Sequence, residues 1–200
     1  MPEIAGDRAE ALPSFEAVLD FWFGPAALRG KARREWFSKD DAFDAEVRRR
    51  FGALHRAAAL RALEPWRASP QPMLALVVVL DQFSRNLFRG DARAFMQDAH
   101  ARECAREAIA RGDDLLLLPV ERQFLYLPFE HSEDLADQQR GVELTRSLEA
   151  FDETRGTVVW AEKHRAIIER FGRFPHRNAA LGRESTPEER EFLAQPGSSF

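Results

Sequence analysis

The sequence predicts an all-α protein, folded as one helical domain over residues 1–200. Apolar residues recur at helical spacing in most segments, and no segment sustains the alternation of apolar and polar residues that marks a strand. Proline and glycine punctuate the chain at intervals that suit helices. Because short loops join the segments, we expect antiparallel helix pairs stacked as a tetratricopeptide-like α–α superhelix. The ordered core should cover residues 14–194, with frayed termini.

The first two helices are predicted from N-caps and apolar spacing. Ser14 should cap a helix that ends before Gly24 and carries an apolar stripe (Phe15, Val18, Leu19 and Trp22). Ser38 should cap a second, long helix from Asp40 to about Arg61. The acidic first turn of this helix suits the positive end of the helix dipole.

The third predicted helix is the most apolar segment of the chain. Pro72 suits its first position, and the helix should run from Met73 to about Phe83. Because it is apolar on nearly all sides, we expect it in the centre of the core. Its apolar run, "MLALVVVL", is too short to cross a bilayer.

Five further helices should follow, each bounded by a cap or a breaker. The last has a capping box, with Thr186 as N-cap and Glu189 three residues later. The other four are residues 91–111 before Gly112, residues 119–127 before Pro128, residues 132–151, and residues 157–171 before Gly172.

Composition excludes several classes of function. The formal net charge of −4 and the pI of about 5.8 provide no globally basic surface, so we expect no nucleic-acid partner. Cys104 is the single cysteine, which excludes disulfides within the chain and a multi-thiolate metal site and favours a reducing compartment. The N-terminal stretch lacks the apolar core of a signal peptide. We therefore expect a soluble cytoplasmic protein without a membrane partner.

Two turn-prone segments repeat an Arg-Asn pair between Phe and Gly. They are "FSRNLFRG" at residues 83–90 and "FGRFPHRNAALGR" at residues 171–183. The planar guanidinium fork suits carboxylate or phosphate, so the pair predicts an anion pocket. The alternative is that the arginines clamp loops onto helix carbonyls. The candidate ligand-binding residues are Asp81, Gln82, Arg85, Asn86, Arg89, Arg173, Arg177 and Asn178.

A third polar segment, "PFEHSED" at residues 128–134, places carboxylates beside an imidazole. His131 with Glu133, together with His176 of the second Arg-Asn segment, are candidate catalytic residues for acid–base chemistry. The alternative is a helix start, with Ser132 as the cap and the acids facing the helix dipole.

The remaining polar residues give no metal or cofactor motif. His164 lies on an apolar helix face, which is typical of a core histidine. The spacing of His131, His164 and His176 matches no metal signature, and a glycine-rich phosphate loop and the G-x-S-x-G motif are absent. Cys104 is interpreted as a structural residue in a helix. We therefore expect no metal and no cofactor.

Five blocks of the sequence resemble one bacterial family, catalogued as domain of unknown function 924. The blocks are collinear from about Val18 to Leu193: "VLDFWFG", "WFSKDDAFD", "LDQFSRNLFRGDARAFMQDAHA", "ERQFLYLPFEHSEDLADQ" and "FGRFPHRNAALGRESTPEEREFL". The resemblance implies the tetratricopeptide-like helical fold and implies no activity. Two positions depart from the family pattern. Ser84 stands where proline is usual, and Glu130 stands where an apolar residue is common, which weakens a role for Glu130.

The leading hypothesis is a binding module for a small anionic molecule or an acidic peptide. The two Arg-Asn turns and the His-Ser-Glu turn would line its groove, as helical repeat folds often provide. A second hypothesis is a hydrolase or lyase that acts on an anionic substrate through His131 or His176, oriented by Glu133, with or without a divalent metal. A third is an architectural adaptor whose partner binds elsewhere. The oligomeric state does not follow from the sequence.

Overall fold

The computed structural model describes residues 11–25, 27–36 and 38–198, and it confirms the all-α prediction. These residues form eight helices joined by short turns and loops, and no strand occurs among them. Stacking as a tetratricopeptide-like superhelix stays a prediction, and most of the expected N-terminal fraying falls outside the described residues. The helices are α1 (Phe15–Phe23), α2 (Asp41–Ala59), α3 (Pro70–Val78 continued by Val79–Phe83 and Ser84–Leu87), α4 (Asp98–Arg111), α5 (Pro119–Glu130), α6 (Leu135–Arg146), α7 (Val158–Phe171) and α8 (Pro187–Leu193).

Helix α3 is the centre of the fold, as its apolar sequence predicts. It packs against α1, α2, α4 and α5, and Met73–Leu80 are fully buried. Its middle section, Val79–Phe83, is a π-helical turn that the sequence did not indicate. A π-helical turn widens the helix and is frequent at functional sites.

Two predicted caps are wrong, for the same physical reason. Asp40, not Ser38, caps α2, because its carboxylate accepts two backbone N–H groups, while the Ser38 hydroxyl donates to a carbonyl. Asp134, not Ser132, caps α6 in the same way, and Ser132 donates to Asp137. In both cases the residue that faces the free N–H groups is a carboxylate, which is a strong acceptor for them.

Other helix boundaries also differ from the prediction. Helix α4 begins at Asp98, because Ala92–Ala94 form a separate 3₁₀ turn that is capped by Asp91. Helix α5 continues through Pro128 to Glu130, although proline there removes one backbone donor. The capping box at the start of α8 is confirmed.

The apolar residues form two clusters of unequal size. The large cluster draws on helices α1 to α6, and the small one joins Ile167, Ile168 and Phe174 with partly buried Phe171 and Phe192. No helix among the described residues is both long and apolar enough to cross a membrane.

Candidate functional site

The arginines of the two Arg-Asn turns meet on one carboxylate, that of Asp98. Arg85 donates two hydrogen bonds to it, with N–O distances of 3.0 and 3.1 Å. Arg177 donates one, at 3.3 Å. Segments that lie 13 and 79 residues from Asp98 are therefore held at the first residue of α4.

The π-helical turn supplies the other partners of Arg85. The backbone carbonyl of Asp81 accepts a hydrogen bond from Arg85 at 2.7 Å, and the Asp81 carboxylate lies 3.3 Å from the same guanidinium nitrogen. Ser84 donates its hydroxyl to the carbonyl of Leu80 at 2.6 Å. Side chains thus satisfy carbonyls within the irregular section of α3, in which Asp81 lies, and Arg85 reaches back to it from the section that follows.

His131 is oriented by Asp81. Its Nδ1 lies 2.8 Å from Asp81 Oδ1, and the other Asp81 oxygen accepts a hydrogen bond from the Gln82 amide at 2.6 Å. The His131 side chain is 13% exposed, whereas that of Asp81 is fully buried. A buried carboxylate that fixes one nitrogen of an accessible imidazole is an arrangement that acid–base chemistry uses.

Opposing effects determine the charges of Asp81 and His131. Burial alone would raise the pKa of Asp81, but the positive charge of Arg85 and the contact with His131 outweigh it, and the pKa of the carboxyl is lowered. Burial, followed by the charge of Arg85, lowers the pKa of His131 despite the nearby Asp81. Asp81 is therefore ionised and His131 neutral near pH 7. Because an ionised carboxylate can only accept, Nδ1 of His131 carries the proton.

Two further imidazoles lie beside His131. The ring of His164 packs edge-on at 6.1 Å from that of His131, and the rings of His164 and His176 both contact Phe174. Burial lowers the pKa of His164 to about 3, helped by His131, and that of His176 to about 4, helped by Arg177. Both are therefore neutral at pH 7. Nδ1 of His164 also donates to the carbonyl of Trp160, so its ring orientation is fixed by its own helix.

Glu130 is a buried carboxyl next to His164. It accepts a hydrogen bond from Thr145 at 2.8 Å and lies 3.8 Å from His164. Burial raises the pKa of Glu130 to about 7, although the bond from Thr145 opposes the change. A carboxyl that is half-protonated at neutral pH is common at functional sites, so this residue joins the candidate cluster.

Arg177 is the least satisfied member of the cluster. Its guanidinium packs against two rings, 4.6 Å from the centre of Phe95 and 4.5 Å from that of Phe174. The side chain is 7% exposed, yet its hydrogen bond to Asp98 is the one it makes among the described residues, and Nε is buried without an acceptor. Burial, followed by the charge of Arg85, lowers the pKa of Arg177 to about 10.

Asn86 and Arg89, in the first Arg-Asn segment, contact α2 instead of the cluster around Asp98. The Asn86 amide donates to Asp44 at 2.7 Å, and Arg89 forms an ion pair with the same carboxylate. Both contacts tie the end of α3 to the first turn of α2. The structure therefore separates Asn86 and Arg89 from the cluster around Asp98.

The second Arg-Asn segment and Glu133 form a separate polar network. Glu133 accepts two hydrogen bonds from Arg183 and one from the backbone N–H of Phe174. Arg173 and Asn178 both donate to Glu189 in α8. These contacts hold residues 172–186 in place, and the carboxylate that orients His131 is Asp81, not Glu133 as the enzyme hypothesis assumed.

Sequence reasoning missed two members of the cluster, Asp98 and Phe95. Both lie in "FMQDAHA", which reads as an ordinary helix start with an acidic first turn. The one available signal was an aromatic residue and an acid shortly after the first Arg-Asn turn. Such a signal is too common in helical proteins to select them.

The two best-defined cavities lie away from the cluster. Cavities of about 340 and about 270 Å³ lie elsewhere, the larger between α4 and α6 over Phe129 and the smaller at residues 34–40. No group of three or more His, Cys, Asp or Glu side chains in this part of the chain is arranged to hold a metal ion. A groove beside Arg85 and Arg177 therefore stays a prediction.

The comparisons identify similar proteins without adding an activity. A family model described as a bacterial protein of unknown function, DUF924, matches residues 18–197. A solved structure of the protein of unknown function ATU0120 from Agrobacterium tumefaciens is 45% identical to this chain, with a TM-score of 0.80. The match covers 90% of this chain and 96% of that one. No protein with a curated functional description matches.

Proposed function

The chain belongs to the bacterial family of unknown function DUF924, and we propose that it binds a small anion between Arg177 and Arg85. The ligand would be a carboxylate, phosphate or sulfate group. The family supplies no activity, so the proposal rests on the chemistry of the cluster around Asp98. We also keep the cytoplasmic location expected from the sequence as part of the proposal.

The observation that carries the proposal is the unsatisfied guanidinium of Arg177. This guanidinium makes a single hydrogen bond of 3.3 Å among the described residues, and its Nε–H is buried without an acceptor. Buried polar groups in native proteins are nearly always paired, because each unmade bond costs about 1–3 kcal/mol. An anion that accepts from Arg177 would remove this cost.

The pairing of the charged groups also supports an anion at Arg177. The neighbouring imidazoles have lowered pKa values and stay neutral at pH 7. Arg85 pairs with both Asp81 and Asp98, whereas Arg177 has only the carboxylate of Asp98, which it shares with Arg85. A ligand oxygen would give Arg177 an acceptor of its own.

The enclosed position favours a small anion over a peptide terminus. The rings of Phe95 and Phe174 both pack against the Arg177 guanidinium, so a ligand would approach its N–H edge. An edge-on approach suits a planar carboxylate or one face of a tetrahedral oxyanion. Aromatic walls with a few convergent polar groups are typical of small-ligand sites.

Titration calorimetry and thermal unfolding with sulfate, phosphate and acetate test the proposal. Wild type should bind at least one of these anions and unfold at a higher temperature in its presence. Arg177→Gln should lose this binding. Arg93→Gln is the matched control, since Arg93 also pairs with one aspartate and covers one Phe ring but is 60% exposed.

The outcomes separate a ligand site from a loop clamp. Binding that survives in Arg93→Gln and is lost in Arg177→Gln supports the anion site. If no anion binds wild type and Arg177→Gln is less stable by about 1–3 kcal/mol, Arg177 is a clamp and the proposal fails.

A further inference from the structure

We infer that the anion site is also an acid–base site, in which Nε2 of His131 accepts a proton from a water molecule beside the bound anion. Asp81 is the positioning residue that holds His131 in the reactive tautomer. This inference rests on the proposed function, because the arginines hold the anion that the water attacks. The substrate class is a small anion with an atom open to attack by water.

The tautomer of His131 follows from its contact with Asp81. Because Asp81 Oδ1 accepts from Nδ1 at 2.8 Å, the proton of neutral His131 resides on Nδ1. Nε2 then carries a free lone pair, and it makes no hydrogen bond to any described residue. A neutral imidazole with a fixed tautomer and an available Nε2 is the form that a general base requires.

Burial and the charge of Arg85 lower the pKa of His131 and keep it neutral until the proton is transferred, although Asp81 and Asp98 oppose them. It faces Asp81 and Arg85 from α3, Asp98 from α4, His164 from α7 and His176 from the second Arg-Asn turn. When the O–H bond of water breaks and the N–H bond on Nε2 forms, the imidazolium gains charge. The ionised Asp81 stabilises that charge. The hydroxide oxygen bonds to the electrophilic atom of the anion as the bond from that atom to its leaving group breaks, and Nε2 returns the proton to the leaving group.

The nearby hydroxyl groups already donate elsewhere, which leaves water as the nucleophile. Ser84 donates to the carbonyl of Leu80, Ser132 to Asp137 and Thr145 to Glu130. The thiol of Cys104 is buried in the apolar core, and burial raises its pKa to about 12. A covalent intermediate on one of these side chains would first require the loss of such a contact.

The first test is nitrogen NMR of wild type labelled at histidine, at pH 7. The His131 resonances, assigned with His131→Gln, should show a protonated Nδ1 and an unprotonated Nε2. The second test measures the rate at which diethylpyrocarbonate modifies each histidine, by mass spectrometry, in sodium sulfate and in sodium chloride of equal ionic strength. His131 should be modified, and sulfate should slow its modification.

One variant and one internal control separate positioning from simple folding. Asp81→Asn should slow modification of His131 by about tenfold or more, because the amide no longer fixes the tautomer. His100 is the internal control, since its Nε2 also contacts a carboxylate, that of Glu64 at 3.1 Å, but outside the cluster. Its modification should not respond to sulfate. If Asp81→Asn does not fold, the wild-type measurements decide the question.

The failures of the two proposals are distinguishable. If sulfate does not bind wild type, the anion site fails and this inference fails with it. If sulfate binds but His131 is charged, carries its proton on Nε2 or is not protected, the anion site stands and the acid–base inference is overturned.

Discussion

Replacing Arg177 by methionine should not destabilise the ligand-free protein. Burial, opposed in part by Asp98 and other acids, lowers the pKa of the guanidinium to about 10. Since a tenfold change in a protonation equilibrium is worth about 1.4 kcal/mol, keeping Arg177 charged at pH 7 costs the folded state about 3 kcal/mol. In the absence of a ligand, the charge of Arg177 therefore destabilises the folded state.

The aromatic contacts offset part of this cost. Stacking between Phe95 and Phe174 contributes about 0.5–2 kcal/mol for each ring, and methionine retains part of it through contacts between sulfur and the rings. The two effects nearly cancel, so Arg177→Met should leave the free energy of unfolding unchanged or raise it by up to about 2 kcal/mol. Removal of the charge should also abolish binding of the anion.

Urea unfolding followed by circular dichroism at pH 7 measures this change, provided that the slopes of the two transitions agree. Arg93→Met is the control and should stay within about 0.5 kcal/mol of wild type, because it is an exposed residue. A loss of more than about 1 kcal/mol in Arg177→Met, with Arg93→Met unchanged, would refute the reasoning and show that Arg177 clamps its loop.

Three other predictions, which use four substitutions, can be checked in the same unfolding assay. Asp98→Asn removes the carboxylate that both arginines share and should cost about 3 kcal/mol or more; a smaller loss would mean that the arginines are paired elsewhere. Glu130 has a raised pKa of about 7, so the free energy of unfolding of wild type should fall as the pH rises from about 4.5 to about 7. Glu130→Gln should remove this pH dependence and gain about 3 kcal/mol at pH 8. An unchanged pH dependence in Glu130→Gln would contradict the argument that burial raises the pKa. Gly141→Ala should cost about 1 kcal/mol or more, because the added Cβ would lie 3.3 Å from side-chain carbons of α5. The control is Gly52→Ala in α2, where the added Cβ meets open space, and it should gain about 0.5–1 kcal/mol. Equal effects of the two substitutions would argue against close packing of α5 on α6.

The fold class and the central position of α3 follow from local features of the sequence. Helical spacing of apolar residues and the breakers between segments identify most helices, because both depend on residues a few positions apart. The π-helical turn at Val79–Phe83 does not follow, because it depends on Ser84 and Arg85 finding free carbonyls within the folded helix. The caps at Ser38 and Ser132 were predicted wrongly because a nearby aspartate competed for the same N–H groups.

The candidate site shows the same division. The sequence by itself selected Asp81, Arg85, His131 and Arg177 as residue types suited to an anion or to acid–base chemistry. It did not determine which carboxylate each would meet. Asp81 rather than Glu133 orients His131, and Asp98 joins two arginines from distant turns. Only the tertiary structure decides such pairings, since a charge finds its partner by distance in space and by the burial that several helices create together.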